Sequence, residues 1–167
     1  MWSIIKKYFE DYPERLKVVR ILIDNGLNIR NGKIFLNEIE IPIVRIARVA
    51  NVDRRTVIET ISMIEEIEEL RRIFYHLRSA GHSLKEVARY LNFGVLEIVP
   101  EDARIPGILA NAAMILANHG LSIRQAIVDD PELSPEPRLV LIVEKKIPGE
   151  LISEFLKIKG VAKVSIY

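Results

Sequence analysis

The sequence predicts an α+β protein in two parts, a mostly helical first half with a small β-hairpin and a second half of βαββαβ order. Three observations predict it. The tripeptide Ile-Pro-Gly occurs at Ile105-Pro106-Gly107 and again at Ile147-Pro148-Gly149, each time between β-type segments, which marks a two-unit repeat. A short helical pattern, Ile43 to Ala50, is separated by Asn51-Val52-Asp53 from a longer one starting at Arg54, which is helix-turn-helix spacing. Asn31-Gly32 stands between two short apolar/polar alternations, the strongest local hairpin signal.

Taken in order, a first helix is expected from Trp2 to Glu10 and a stronger one from Pro13, whose fixed φ and missing N–H suit a first turn. Leu16, Val19, Leu22 and Ile23 recur at helical spacing, and Gly26 ends the helix. The hairpin covers Leu27 to Leu36. Pro42 opens the short helix, and Asp53 stands as N-cap of the next. Along that helix Val57, Ile61, Ile64, Ile67, Leu70, Phe74 and Leu77 keep one face apolar, so it is read as continuous from Arg54 to Leu77. Its surplus length packs within the monomer or against a second copy. After Gly81, Ser83-Leu84-Lys85-Glu86 reads as a capping box that starts a connector helix running to about Asn92.

Beyond Phe93-Gly94 the pattern becomes strand (Val95 to Val99), helix (Pro106 to His119), strand (Leu121 to Val128), a proline-rich connection at 130–137, strand (Arg138 to Glu144), helix (Pro148 to Lys159) and strand (Val161 to Ile166). Two interleaved βαβ units form most simply a four-stranded antiparallel sheet with two helices on one face, the ferredoxin-like arrangement. The domains are then 1–80, a connector at 81–93, and 94–167.

Composition excludes several classes. With 49% hydrophobic and 28% charged residues the chain is of globular type. It has no cysteine, hence no disulfide, thiolate nucleophile or cysteine-based zinc site. No apolar run approaches the ~18–20 residues needed to cross a bilayer, and the start lacks a signal peptide's apolar centre, so a cytoplasmic location is expected. His76, His82 and His119 lack metal-ligand spacing, and no nucleophile motif or phosphate-binding loop is present. The expectation is a non-enzyme without catalytic residues, metal or cofactor. A net charge of +1 gives no global attraction to nucleic acid, so a DNA argument has to rest on local placement.

Two constellations carry chemistry. In the first, Glu101-Asp102-Ala103-Arg104-Ile105-Pro106-Gly107 leads into a helix whose N-terminal N–H groups suit an anion. Asp102 can accept from an ammonium group, Arg104 can pair with a carboxylate, and Gly107 permits close approach. The alternative is that Pro106 and Gly107 only start a helix. Gln125, the single glutamine, is a donor-acceptor group in an apolar strand, suited to a ligand or to a partner seam. In the second, the helix-turn-helix places Arg54, Arg55 and Thr56 at the reading end of its second helix, with Glu59 and Thr60 a turn later. Arg45 and Arg48 on the preceding helix can reach the DNA backbone. The block Glu65-Glu66-Ile67-Glu68-Glu69 opposes DNA if it faces the duplex.

Residues 102–109, 115–125 and 129–133, with Gly160-Val161, resemble the ACT domain family, and more closely archaeal regulators of amino-acid metabolism that join an N-terminal helix-turn-helix to a C-terminal ACT domain. The resemblance implies domains paired side by side into a continuous sheet, hence a homodimer, with a small effector near the Pro-Gly loop and the start of the second strand. Carried over, the effector site comprises Asp102, Arg104, Gly107, Ile108, Leu109, Ser122, Ile123, Arg124 and Gln125. Ser122 departs from the Asn common there, which leaves the ligand open. The function so implied is an amino-acid-responsive transcriptional regulator. Its competitor is a non-DNA-binding allosteric subunit that controls a partner enzyme.

Overall fold

The computed structural model describes residues Met1–Tyr167. The chain divides into two units, Met1–Gly81 and His82–Tyr167. In the first, α1 (Trp2–Phe9) precedes α2 (Pro13–Asp24), then three strands, β1 (Leu27–Arg30), β2 (Lys33–Leu36) and β3 (Ile39–Ile41), then α3 (Ile43–Ala50), α4 (Arg54–Glu66) and α5 (Glu68–His76). Helices α2, α3 and α4 pack pairwise on one another. Between them they bury Val18, Val19, Leu22, Ile46, Ala47, Val57 and Ile61. The hairpin forms as expected: Asn31 and Gly32 have φ of 52° and 73°, the positive values that a two-residue turn between right-twisted strands requires. A second turn with Asn37 at φ 54° adds β3, which the sequence reading missed.

Two helical expectations are corrected. The helix read as continuous from Arg54 to Leu77 breaks at Ile67, which is extended (φ −91°, ψ 112°) and caps both α4 and α5. The apolar stripe continues through the break because Ile64, Leu70 and Phe74 are all buried, but they serve different partners. Helix α4 packs on α2 and α3, whereas α5 packs on β1. The connector helix from Ser83 to Asn92 is also absent. Only a 3-10 turn, Ala88–Leu91, forms there, and Ser83 Oγ accepts from Lys85 N (3.3 Å) instead of taking part in a capping box.

The second unit contains β4 (Gly94–Pro100), α6 (Ile108–Asn118), β5 (Ile123–Val128), β6 (Leu139–Val143), a 3-10 turn (Gly149–Leu151) running into α7 (Ile152–Phe155), and β7 (Val161–Ile166). The four strands are antiparallel in the order β5-β6-β4-β7, as the βαββαβ reading requires. Alternation along β4 and β6 sends Leu96, Ile98, Leu139, Leu141 and Val143 to the helix-covered face with Ala112, Leu116 and Phe155. On the opposite face Val95, Val140 and Ile142 are covered by Ala88, Leu84 and Phe93. Residues 82–93 therefore form a strap across the sheet. The repeated tripeptide opens its two helices differently: Gly107 has φ +95° at the N-cap of α6, while Gly149 begins the 3-10 turn before α7. No helix is long and apolar enough to cross a membrane.

Candidate functional site

The Pro-Gly loop starts where β4 ends. Arg104 folds back on Asp102, its Nε and Nη2 donating at 3.0 and 2.8 Å and its backbone N–H at 2.9 Å. Those bonds hold the Asp102 carboxyl below its ordinary range and raise the guanidinium. The two charges expected to read an amino acid's ammonium and carboxylate thus neutralise each other. The carbonyl of Gly107 accepts from both Asn111 Nδ2 (2.8 Å) and Asn111 N (2.9 Å), and no side chain caps α6. Gly107, Ile108 and Leu109 come together at a cavity of about 140 Å3 that also touches Ala103, Asp129 and Arg138. Ile108 is nevertheless a core residue, whereas Leu109 is exposed.

Ser122, Ile123, Arg124 and Gln125 lie elsewhere. Leu139 pairs with both Ile98 and Val128, and Val143 with both Gly94 and Ile123. The end of β4 that leads to the Pro-Gly loop is therefore level with the far end of β5, so one chain does not assemble the two halves of the expected effector site. Ser122 is exposed, and its carbonyl accepts from Glu144 N (3.1 Å). Ile123 and Arg124 are exposed, with the Arg124 guanidinium 5.5 Å from the Phe93 ring centre.

Gln125 has both ends of its amide in use. Its Oε1 accepts from Leu84 N (2.8 Å) and its Nε2 donates to the His82 carbonyl (2.6 Å). Of the two roles open to it, ligand or partner, the structure presents a third: it pairs with the strap as a neighbouring strand would.

The strap is also anchored, one residue beyond Leu84, to a group that the sequence reading did not single out. Glu97, 4% exposed, accepts from Lys85 Nζ of the strap at 2.5 Å and from Arg138 just before β6. Arg138 also pairs with Glu136. Burial pushes the Glu97 carboxyl upward, but Lys85 and Arg138 outweigh it, leaving the carboxyl below its ordinary value, and Glu97 in turn raises Lys85. The signal was present in the sequence: Glu97 is the one charged residue between Val95 and Val99, and a carboxylate in a strand buried on both faces needs a cation.

In the first unit, the turn between α3 and α4 is built for its geometry. Asn51 is left-handed (φ 52°, ψ 51°), and the Val52 amide returns to the Ala47 carbonyl (3.0 Å), closing α3. Asp53 Oδ1 then accepts from Arg55 N (2.7 Å) and caps α4. Arg45, Arg48 and Arg54 are exposed and have no ion pair within the chain. Arg55 is exposed and pairs with Glu59 (2.9 Å), which Arg15 also holds (2.9 Å), so that Glu59 lies below its ordinary value.

One residue of the expected DNA-contact set is corrected. Thr60 is fully buried, and its hydroxyl donates to the Thr56 carbonyl (2.7 Å), because the α4 face it occupies is the packed one. Thr56 is itself half-buried. Three of the four glutamates in the acidic block are engaged within the unit, while Glu66 is exposed: Glu65 accepts from Gly32 N (2.7 Å), Glu69 from the Tyr8 hydroxyl (2.6 Å), and Glu68 pairs with Arg72. No cluster of three acidic or histidine side chains capable of holding a metal forms.

No protein-family model and no curated protein sequence matches the chain. Among solved structures it is similar to AsnC of E. coli at 13% identity, covering 92% of this chain and 87% of that one, with a TM-score of 0.31. An AsnC family transcriptional regulator from Agrobacterium tumefaciens gives 12%, 92%, 86% and 0.30. A transcriptional regulator of Neisseria meningitidis, solved with L-Met, gives 11%, 92%, 86% and 0.27. These values lie below the level at which a shared fold or function follows.

Proposed function

We propose that the chain is a metabolite-responsive transcriptional regulator whose first unit binds DNA through α3 and α4 and whose second unit senses a small effector, an amino acid by the resemblance to ACT domains. The observation that carries the reading is the capped turn at 51–53, beside which Arg48, Arg54 and Arg55 stand exposed. A helix N-terminus with arginines is the part of such a motif that reaches phosphates and base edges. For the sensing half, the distance along the sheet between the Pro-Gly loop and Ser122–Gln125 supports a site shared by two copies. Two-fold pairing along the half-exposed strand β5 would bring the loop of one copy to the start of β5 in the other.

The strap offers the coupling. Residue 82 follows directly on the first unit, and Gln125 holds the strap at one of the positions where the effector is proposed to bind. An effector that takes the Gln125 amide releases the strap and lengthens the tether between the units. Gln125→Ala is accordingly expected to speed hydrogen exchange of the Leu84 amide by about fivefold to tenfold, the loss of one hydrogen bond. Unchanged exchange at Leu84 would remove the coupling role.

The test of the whole reading is a gel shift at low salt with the chain's own promoter region, run with and without each of the amino acids at millimolar concentration alongside thermal melts. At least one amino acid is expected to raise the Tm and to change DNA affinity by roughly 5–150-fold. A flat panel overturns the sensing half. The absence of any shift, with an enzyme co-purifying in equal amount, overturns the DNA half in favour of an allosteric subunit.

A further inference from the structure

A cavity of about 740 Å3 lies in the first unit, walled by Leu27, Leu36, Ile41, Ile46, Val49 and Leu77 and bordered by residues 78–81. Pockets of ~300–1,000 Å3 suit small organic ligands. The border is held close to the α2–β1 turn. Gly26 has φ +62°, and a Cβ there would stand 2.6 Å from the Ser79 backbone, so only glycine lets the two segments meet.

The polar groups on this wall include donors with no partner in the chain. Arg45 lines the cavity and its guanidinium makes no hydrogen bond or ion pair within the chain, and the backbone N–H groups of Arg78, Ser79, Ala80 and Gly81 likewise donate to nothing in it. Arg78 turns its guanidinium to the carbonyls of Tyr75 and Leu77 (2.9 and 2.8 Å), keeping its charge at the rim. The one carboxylate on the lining, Asp24, is neutralised by Arg20 at 2.9 Å. An apolar wall with an unpaired guanidinium and free amides complements a molecule with an aliphatic body and an acceptor-only head.

We propose that this cavity is a second effector site, one that takes a small amphipathic carboxylate with its body on the apolar wall and its carboxylate on Arg45 and the amides of residues 78–81. The consequence rests on the regulator reading: Arg45 is among the residues proposed to reach the DNA backbone, so carboxylate and DNA compete for one guanidinium. The site itself does not depend on that reading.

Isothermal calorimetry on the full chain without DNA tests it, with octanoate, octan-1-ol and octylammonium as probes. Octanoate is expected to bind, with the alcohol and the ammonium at least about tenfold weaker. Arg45→Gln is expected to weaken octanoate by about 10–100-fold, the worth of a hydrogen bond to a charged group. Val49→Glu, at a position 71% exposed and therefore harmless to the core, is expected to abolish binding by charge repulsion with the Tm unchanged. The proposal is overturned if octanoate does not bind at millimolar concentration, if the three probes bind alike, or if neither substitution changes its affinity. A parallel titration with promoter DNA present tests the competition separately. A chain that binds octanoate but no DNA would sink the regulator reading and leave this site standing.

Discussion

A protein carrying Arg54→Ala together with Arg55→Ala is expected to lose about 2–6 kcal/mol of DNA binding, roughly 30-fold to 10⁴-fold in affinity, because each arginine that reaches base edges or phosphate is worth ~1–3 kcal/mol. Its fold should be untouched. Both side chains are exposed, alanine is the better helix former, and Glu59 keeps its bond to Arg15 when Arg55 is removed. The Arg55–Glu59 pair is solvent-screened and contributes little. If the two arginines meet phosphates, the slope of log affinity against log salt should also fall by about two. Arg72→Ala is the matched control, since Arg72 is an equally exposed arginine on α5, paired with Glu68. Gel shifts and melts on the three proteins decide the matter. Equal loss in the control, or no loss in the double variant, places the interface elsewhere.

The parts of the fold that were legible in the sequence are those whose cause is local. Asn31-Gly32 folds into its hairpin because both residues tolerate positive φ, and Asp53 caps α4 with an amide two residues away. The βαββαβ order could be read because each Ile-Pro-Gly starts a new element at the right interval. What could not be read was set by distant partners. Ile67 interrupts a helix whose apolar period runs on undisturbed, since α5 finds its partner in β1 and not in α2 or α3. Ser83 and Glu86 have the chemistry of a capping box, but Gln125 ties the strap to β5 through the Leu84 amide and the His82 carbonyl, and only the 3-10 turn at Ala88–Leu91 forms.

The same division applies to the candidate sites. The arginines around the turn at 51–53 were legible, because helical spacing alone says which side chains face away from the packed stripe. Thr60 was misplaced although the same spacing applies to it: it stands three residues after Val57 and four before Ile64, and is buried with them. In the second unit, Asp102 and Arg104 were read as separate contacts for a ligand's ammonium and carboxylate, yet their spacing of two lets them satisfy each other. The Glu97 centre draws Lys85 from the strap and Arg138 from near β6, a convergence that no run of adjacent residues announces.

That centre is the basis of the second large effect. Glu97→Gln is expected to destabilise the second unit by about 2–3 kcal/mol at neutral pH. Breaking a buried ion pair commonly costs ~3–5 kcal/mol, and the lower figure follows because the side chains of Lys85 and Arg138 are 34% and 38% exposed and can turn to water. For a unit of this size the Tm falls by roughly 10–20 °C. Removing the partner as well changes the result. Glu97→Met with Lys85→Met leaves an apolar pair and a surface arginine, and should recover most of the loss. The pH dependence has a definite sign. Glu97 titrates below its ordinary value in the fold, so the stabilisation is complete above the ordinary carboxylate pKa of ~4.3 and disappears as pH falls through the depressed value. Lys85 is raised, so its share is complete below ~10.4 and disappears only as pH climbs through the raised value. Calorimetric melts from acid to alkaline pH should therefore show a plateau between these limits in the native chain. In the Glu97→Gln protein the acid limb should be shallower, since one of the groups that binds a proton on unfolding is gone. An acid limb identical in the two proteins would mean that the carboxylate at the centre of the sheet contributes nothing to holding the strap.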